Sequence, residues 1–352
     1  MSDYSFLERL SHRLALGNAS LGEVLMDLEA SLSALPPNGF ERRHHVFVSG
    51  LARAGTTALM RALHASDQFA SLTYRDMPFV LAPNLGQRFQ LGRGQGEDLR
   101  ERAHGDGVMV NVDSPEALEE PFWRSFCGRD YIKSDRLVPH LVEVATLQKY
   151  RAFVGHVLSR YERARYLAKN NNAMLRLPAL IKALPNATIV IPFRDPVAQS
   201  ISLHRQHARF VEGHDAFSGE YMRLLGHHEF GPDHRPFVLG GQRPAGTPDS
   251  VNYWLSAWVL AYAHMLKQAT DRPACIPVAY EQICAPDRKT WTRLSHKLAI
   301  NPGVGASLKA PPREPAGEID PALLRQARHI YQKLAHLGDE RLSAAHAGQT
   351  AA

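Results

Sequence analysis

Residues 50–57, Gly50-Leu51-Ala52-Arg53-Ala54-Gly55-Thr56-Thr57, hold the densest chemistry in the chain. Two glycines let the backbone curl, so that successive N–H groups and the start of a following helix converge on one point where a phosphate can sit. The spacing differs from a triphosphate-binding loop at one place, because Thr56 stands where that loop carries a lysine. The cradle is kept and the hook for a γ-phosphate is lost. Arg53 inside the turn and the hydroxyls of Thr56 and Thr57 suit a nucleotide with a single 5′-phosphate group. A second stretch combines a cation, a helix cap and a hydroxyl: Arg194-Asp195-Pro196, with Ser202 eight residues after Arg194. Taken alone, Arg194-Asp195 reads equally well as a capping pair, with Pro196 at the favoured first helical position.

Both stretches need a strand before them and a helix after them. The apolar run Val46-Phe47-Val48 supplies the first strand, and Leu59, Ala62 and Leu63 mark the buried face of the helix behind the loop. Residues 187–193 are a second apolar strand ahead of Arg194. Residues 70–79 read as a short strand ending near Asp76. In an α/β sheet ligands gather at the carboxyl ends of strands, which makes Asp76 a candidate proton acceptor. An Arg75–Asp76 surface pair is the plainer account. Glu116 and Glu120, in a helix opened by Ser114-Pro115, are the next candidates, and their plainer role is to complement a helix dipole. His104 lies in a glycine-rich loop over residues 84–113 and reads first as a solvated loop residue.

With the loop and the Arg194 segment in this order, the chain resembles the sulfotransferase family that uses 3′-phosphoadenosine 5′-phosphosulfate (PAPS). The resemblance spans roughly residues 44–300. It implies that Arg53, Ala54, Gly55, Thr56 and Thr57 hold the 5′-phosphosulfate, and that Arg194 and Ser202 hold the 3′-phosphate. It implies a catalytic carboxylate past the loop, where Asp76 lies 23 residues after Arg53. It also implies that Lys169, in the turn Lys169-Asn170-Asn171-Asn172, meets the oxygen between phosphate and sulfur, so that Asp76, Lys169 and Arg53 form the catalytic set. A lysine fits because negative charge builds on that leaving oxygen in the transition state. The chain departs from the family's pattern in three places. Ala54 replaces the usual serine, Asp76 the usual glutamate, and no proline follows Lys169-Asn170.

The fold implied is α/β, a P-loop-like parallel sheet flanked by helices, with helical and loop insertions forming the acceptor pocket. Residues 1–40 read as a helical segment packed on the domain, 41–340 as the sulfotransferase domain and 341–352 as a disordered tail. In the first segment Leu21, Val24, Leu25, Leu28, Leu32 and Leu35 form one apolar face. Residues 141–167 read as one long amphipathic helix, residues 174–184 as another, and the histidine-rich stretch 204–245 as a flexible lid in preference to a metal site.

Composition narrows the partners. The 352 residues carry 41 Lys and Arg against 35 Asp and Glu, a net charge of +6, which suits an anionic ligand better than a nucleic-acid groove. The three cysteines lack metal spacing and fit a reducing compartment. No stretch approaches the roughly 20 apolar residues of a membrane span, and residues 1–13 lack the pattern of a signal peptide. The expectation is therefore a soluble, cytoplasmic, bacterial-type member resembling the carbohydrate and tyrosylprotein sulfotransferase branch. It would use PAPS without a metal, act on a small-molecule, glycan or peptide acceptor, and have no nucleic-acid or membrane partner. The oligomeric state is left open. Two other readings remain: an ATP-dependent phosphotransferase on the same loop, with Asp195 as its magnesium ligand, and a nucleotide-binding protein whose catalysis has lapsed.

Overall fold

The computed structural model describes residues 19–89, 100–101, 109–213, 222–310 and 318–347. Five parallel strands form the main sheet in the order β2-β5-β1-β6-β7, where β1 is Val46–Val48, β2 Phe69–Ala70, β5 Arg165–Lys169, β6 Thr188–Phe193 and β7 Cys275–Ala279. A separate two-stranded pair joins β3 (Arg100–Glu101) to β4 (Met109–Val110). Central parallel strands are covered on both faces, so they read as unbroken apolar runs. Their side chains still alternate. Phe47, Ile189, Ile191 and Phe193 enter one core, while Val46, Val48 and Val190 enter the other. The first core is filled from α5 (Val144–Tyr161), α6 (Leu177–Ala183), α8 (Val251–Thr270) and α11 (Pro321–Ala347). The second is covered mainly by α2 (Thr56–His64) and α10 (Lys289–Lys297).

The strand that follows β1 in the chain lies on one side of it, and β6 and β7 lie on the other. The carboxyl ends of β1, β5 and β6 therefore border a topological switch point, the usual seat of a ligand in an open α/β sheet.

Several expected elements change. Residues 141–167 are not one helix. α5 stops at Tyr161, where Glu162 takes a left-handed conformation with φ 50°, and the chain re-enters the sheet as β5. Tyr166-Leu167-Ala168 are buried on both faces, which is why they extend the apolar pattern of the helix before them. β2 ends at Ala70, and Asp76 closes a single 3₁₀ turn, Tyr74–Asp76. The helix expected to open at Ser114 begins later, as α4 (Glu120–Tyr131), because residues 114–116 run antiparallel beside residues 72–74, with Thr73 bridged to Pro115. α1 (Ala19–Leu32) turns Gly22, Met26 and Glu29 inward and leaves Val24, Leu28 and Leu32 about half exposed. Glu29 is fully buried and accepts hydrogen bonds from the backbone N–H groups of Asn84 and Leu85, capping α3 (Pro83–Phe89). This polar anchor, not the leucine stripe, sets the rotation of α1. The last helix runs on through Ala347, past the point where a disordered tail was expected.

Candidate functional site

The phosphate loop leaves β1 at Ser49, whose N–H still donates to Val190 O of β6 (3.0 Å). Gly50 is required by crowding, since a Cβ there would lie 2.7 Å from Pro192 O. Gly55 is required twice over. Its φ is 82°, and a Cβ would fall 2.3 Å from the ring of Tyr280, the first residue of α9 (Tyr280–Ile283). Arg53 also sits at positive φ, 67°, where a side chain other than glycine is uncommon, so the turn holds this arginine in a conformation the surroundings must maintain. Ala54 is fully buried, and its N–H closes the turn by donating to Leu51 O at 3.3 Å. Thr56 and Thr57 open α2 as expected.

α7 (Pro196–Glu212) brings the second motif against this loop. Asp195 caps it, accepting from Ala198 N–H at 2.9 Å, and Pro196 occupies the first turn. Arg53 Nε donates to Ser202 Oγ at 3.1 Å, and Arg194 Nη1 donates to Arg53 O at 3.2 Å. Gln199, one turn into α7, donates from Nε2 to Ala52 O and accepts from Trp258 Nε1, each at 3.0 Å. The two stretches that the sequence singled out thus meet at a three-residue junction. Gln199 and Trp258, which hold that junction, carry no motif and could not be read from the sequence.

Lys169 is the last residue of β5 rather than part of a free turn, paired in register with Val48 of β1 and 7% exposed. It shares a small cavity with Glu116, Glu119 and Tyr166. Two of the three asparagines after it, Asn170 and Asn172, are tied down by one buried carboxylate. Glu120 accepts from Asn170 Nδ2 (2.7 Å), Asn172 Nδ2 (3.0 Å), both terminal nitrogens of Arg176 (2.9 and 3.2 Å) and the Tyr131 hydroxyl. Burial alone would push the Glu120 carboxyl up, but the Arg176 charge and these bonds hold it below its usual value. Its neighbour Glu119 accepts from Trp123, Tyr150 and Tyr166. Glu120 is a structural counter-ion, so the structure removes it from the candidates for a base.

Asp76 is 3% exposed and faces inward. Its Oδ2 accepts from Thr73 N–H (2.8 Å) and from the Tyr161 hydroxyl (2.5 Å), and Oδ1 lies 3.8 Å from Arg160 Nε. The Arg75 partner is Asp113, not Asp76. Burial pushes the Asp76 carboxyl above its usual range, against the pull of those two hydrogen bonds. Glu116 accepts from the Tyr74 hydroxyl and from Ala117 N–H. His104 lies outside the described residues.

Much of the described histidine-rich stretch is packed, in contrast to the lid that was expected, while residues 240–245 are mostly exposed. His227, His228 and Glu229 are nearly buried, and the His234 ring packs edge-on against His207 (5.7 Å) and tilted against Trp254 (4.9 Å) while bonding the Tyr253 hydroxyl. Burial pushes the His234 imidazole down to about 4, so it stays neutral at physiological pH. Among the described residues no group of three His, Cys, Asp or Glu side chains could hold a metal ion. None of the described helices is long and apolar enough to cross a membrane.

A glycine turn between a parallel strand and a helix, clamped by a second strand–helix corner bearing an arginine, defines the candidate site of an α/β protein with a central parallel sheet. The sequence model of a sulfotransferase family matches residues 45–301, and the chain belongs to that family. Its fold is similar to a sulfotransferase of Mycobacterium tuberculosis (13% identity, TM-score 0.43), with 92% of this chain and 85% of that one covered. A Mycobacterium avium sulfotransferase gives 13% identity and a TM-score of 0.45, with 95% and 83% covered. One from Alicyclobacillus acidocaldarius gives 13% and 0.36, with 86% and 99% covered. No curated protein matches the chain.

Proposed function

We propose that the chain moves a sulfuryl group from PAPS to a hydroxyl or amine of its acceptor by in-line displacement. The observation that carries this reading is the junction of Arg53, Arg194 and Ser202, which places two guanidinium groups and a hydroxyl from separate strand ends around one loop. A 5′-phosphosulfate would lie on the loop against Arg53, Thr56 and Thr57, and a 3′-phosphate beside Arg194 and Ser202. Charge-assisted bonds to phosphate are among the stronger hydrogen bonds. Lys169, at the neighbouring strand end, would neutralise the leaving oxygen. The reaction gains chiefly from positioning and charge stabilisation, as in phosphoryl transfer. The acceptor's proton goes to a carboxylate. Asp76 was the first candidate, but its inward bonds suit it better to holding the turn after β2.

A phosphotransferase finds less support. Asp195, the acid that would hold magnesium for it, is a helix cap. Thermal denaturation separates the two readings. 3′,5′-adenosine bisphosphate is expected to raise the melting temperature well above the shift given by 5′-AMP, because a ligand that binds only the folded state stabilises it by about 2.7 kcal/mol at 100 times its Kd. Arg194→Ala is expected to erase the difference between the two nucleotides. Equal shifts in the wild-type protein would remove the case for a 3′-phosphate site.

A further inference from the structure

Glu229 is the one acid of the cavity beside the phosphate loop that neither motif explains. It follows His227 and His228 in the stretch between α7 and α8, and it is 7% exposed. Leu51 and Ala52 of the loop, Leu203 of α7, Trp254 of α8, His234 and Arg235 line the same cavity, whose exposed surface is mostly apolar. One carboxylate oxygen is fixed: Oε1 accepts from Asn171 Nδ2 at 2.9 Å, two residues past Lys169, and lies 3.4 Å from His227 Nδ1. The other oxygen, Oε2, is buried and has no hydrogen-bond partner among the described residues. A buried carboxylate oxygen left open carries a considerable desolvation cost, and such groups concentrate where function requires them.

We propose that Glu229 is the proton acceptor for the incoming hydroxyl or amine, with Asn171 and His227 positioning its carboxylate; this rests on the sulfuryl-transfer reading above. In the step, the acceptor oxygen or nitrogen forms its bond to sulfur and its proton passes to Oε2. The bond from sulfur to the bridging oxygen breaks, and its electron pair leaves on the nucleotide phosphate facing Lys169. Burial would push the Glu229 carboxyl up, but His227, Lys169 and Asn171 outweigh it and hold the carboxyl well below the usual range, so the base is ionised when the acceptor arrives. An anionic donor beside Lys169 offsets that ammonium's hold and makes Glu229 more basic once the donor is bound.

The test uses the full chain with radiolabelled PAPS. It follows loss of PAPS in buffer alone and with 4-nitrophenol, 2-naphthol, glucosamine or a tyrosine peptide as acceptor. Glu229→Gln is expected to lower the maximal rate roughly 10²-fold, the lower end for removing a general base, with the Kd for 3′,5′-adenosine bisphosphate and the melting temperature little changed. Glu229→Ala is expected to regain rate on addition of formate, which enters the vacated space as a surrogate base; a merely structural role would not respond in this way. A Glu229→Gln rate within a few-fold of wild type overturns the assignment. So does a loss that follows nucleotide affinity and is not rescued by formate, and a selective loss in Asp76→Asn would then return the role to Asp76. A wild-type protein that neither binds the bisphosphate nor consumes PAPS overturns the sulfuryl-transfer reading itself. One that binds the nucleotide and transfers nothing is a lapsed enzyme, for which Glu229 has no proton to take.

Discussion

Lys169→Ala should lower turnover roughly 10²–10³-fold, the range found when one group stabilising transition-state charge is removed, while the Kd for 3′,5′-adenosine bisphosphate changes only a few-fold. The ammonium stands at the end of β5, level with Val48 and therefore with the start of the phosphate loop. Before transfer the bridging oxygen carries little charge, so the interaction gains most of its strength as the bond to sulfur breaks. Interactions of that kind appear in turnover and not in binding. Lys169→Arg should restore part of the rate, since the planar guanidinium keeps the charge but cannot aim a compact cation at one oxygen. Single-turnover measurements with bound PAPS check this directly. Affinity and rate falling together would mean that Lys169 binds ground-state phosphate only.

Arg176→Met should cost roughly 3–5 kcal/mol of stability, because it strands the Glu120 carboxylate in the core. Both side chains of the pair are essentially inaccessible to solvent. Equilibrium urea denaturation gives the number. Converting Glu120 to leucine in the same chain should recover part of the loss, since an apolar pair of similar size avoids the buried charge. The pH dependence has a definite sign. Glu120 is held below its usual value in the folded state, so its contribution is present above the ordinary carboxylate range and is lost as pH falls toward the folded value. The same substitution should also blunt catalysis in whatever fraction still folds, because Glu120 anchors Asn170 and Asn172 immediately after Lys169.

The loop and the strand–helix corner that meet at the candidate site were legible in the sequence because their signals are local. Glycines at 50 and 55, hydroxyls at the helix start and a proline after Arg194-Asp195 each constrain the backbone within a few residues. What failed was non-local. β5 was hidden because a strand buried on both faces shows no alternation, and Tyr166-Leu167-Ala168 simply lengthened the apolar spacing of α5. The leucines of α1 suggested a buried stripe, yet a single acid, Glu29, fixes which face turns inward by capping a helix more than fifty residues away. Asp76 was placed at the end of a strand read over residues 70–79, whereas the chain turns through Thr73 and spends the carboxylate on that turn. Glu229 had no sequence signal beyond the histidines before it. Its place beside the loop is set by Asn171 and by the packing of the segment between α7 and α8.

The Arg53–Ser202 contact joins positions 149 apart in the chain. Closing so long a loop is slow in folding, because its entropy must be lost before the contact returns anything. β6 must also be seated between β1 and β7 before Arg194 can reach the turn. The Arg53–Arg194–Ser202 junction therefore forms only once the sheet around it is in place. Under the proposed function, a chain in which that junction has not formed has no means of holding a donor, and a ligand that binds only the finished fold shifts the population toward it without accelerating its formation.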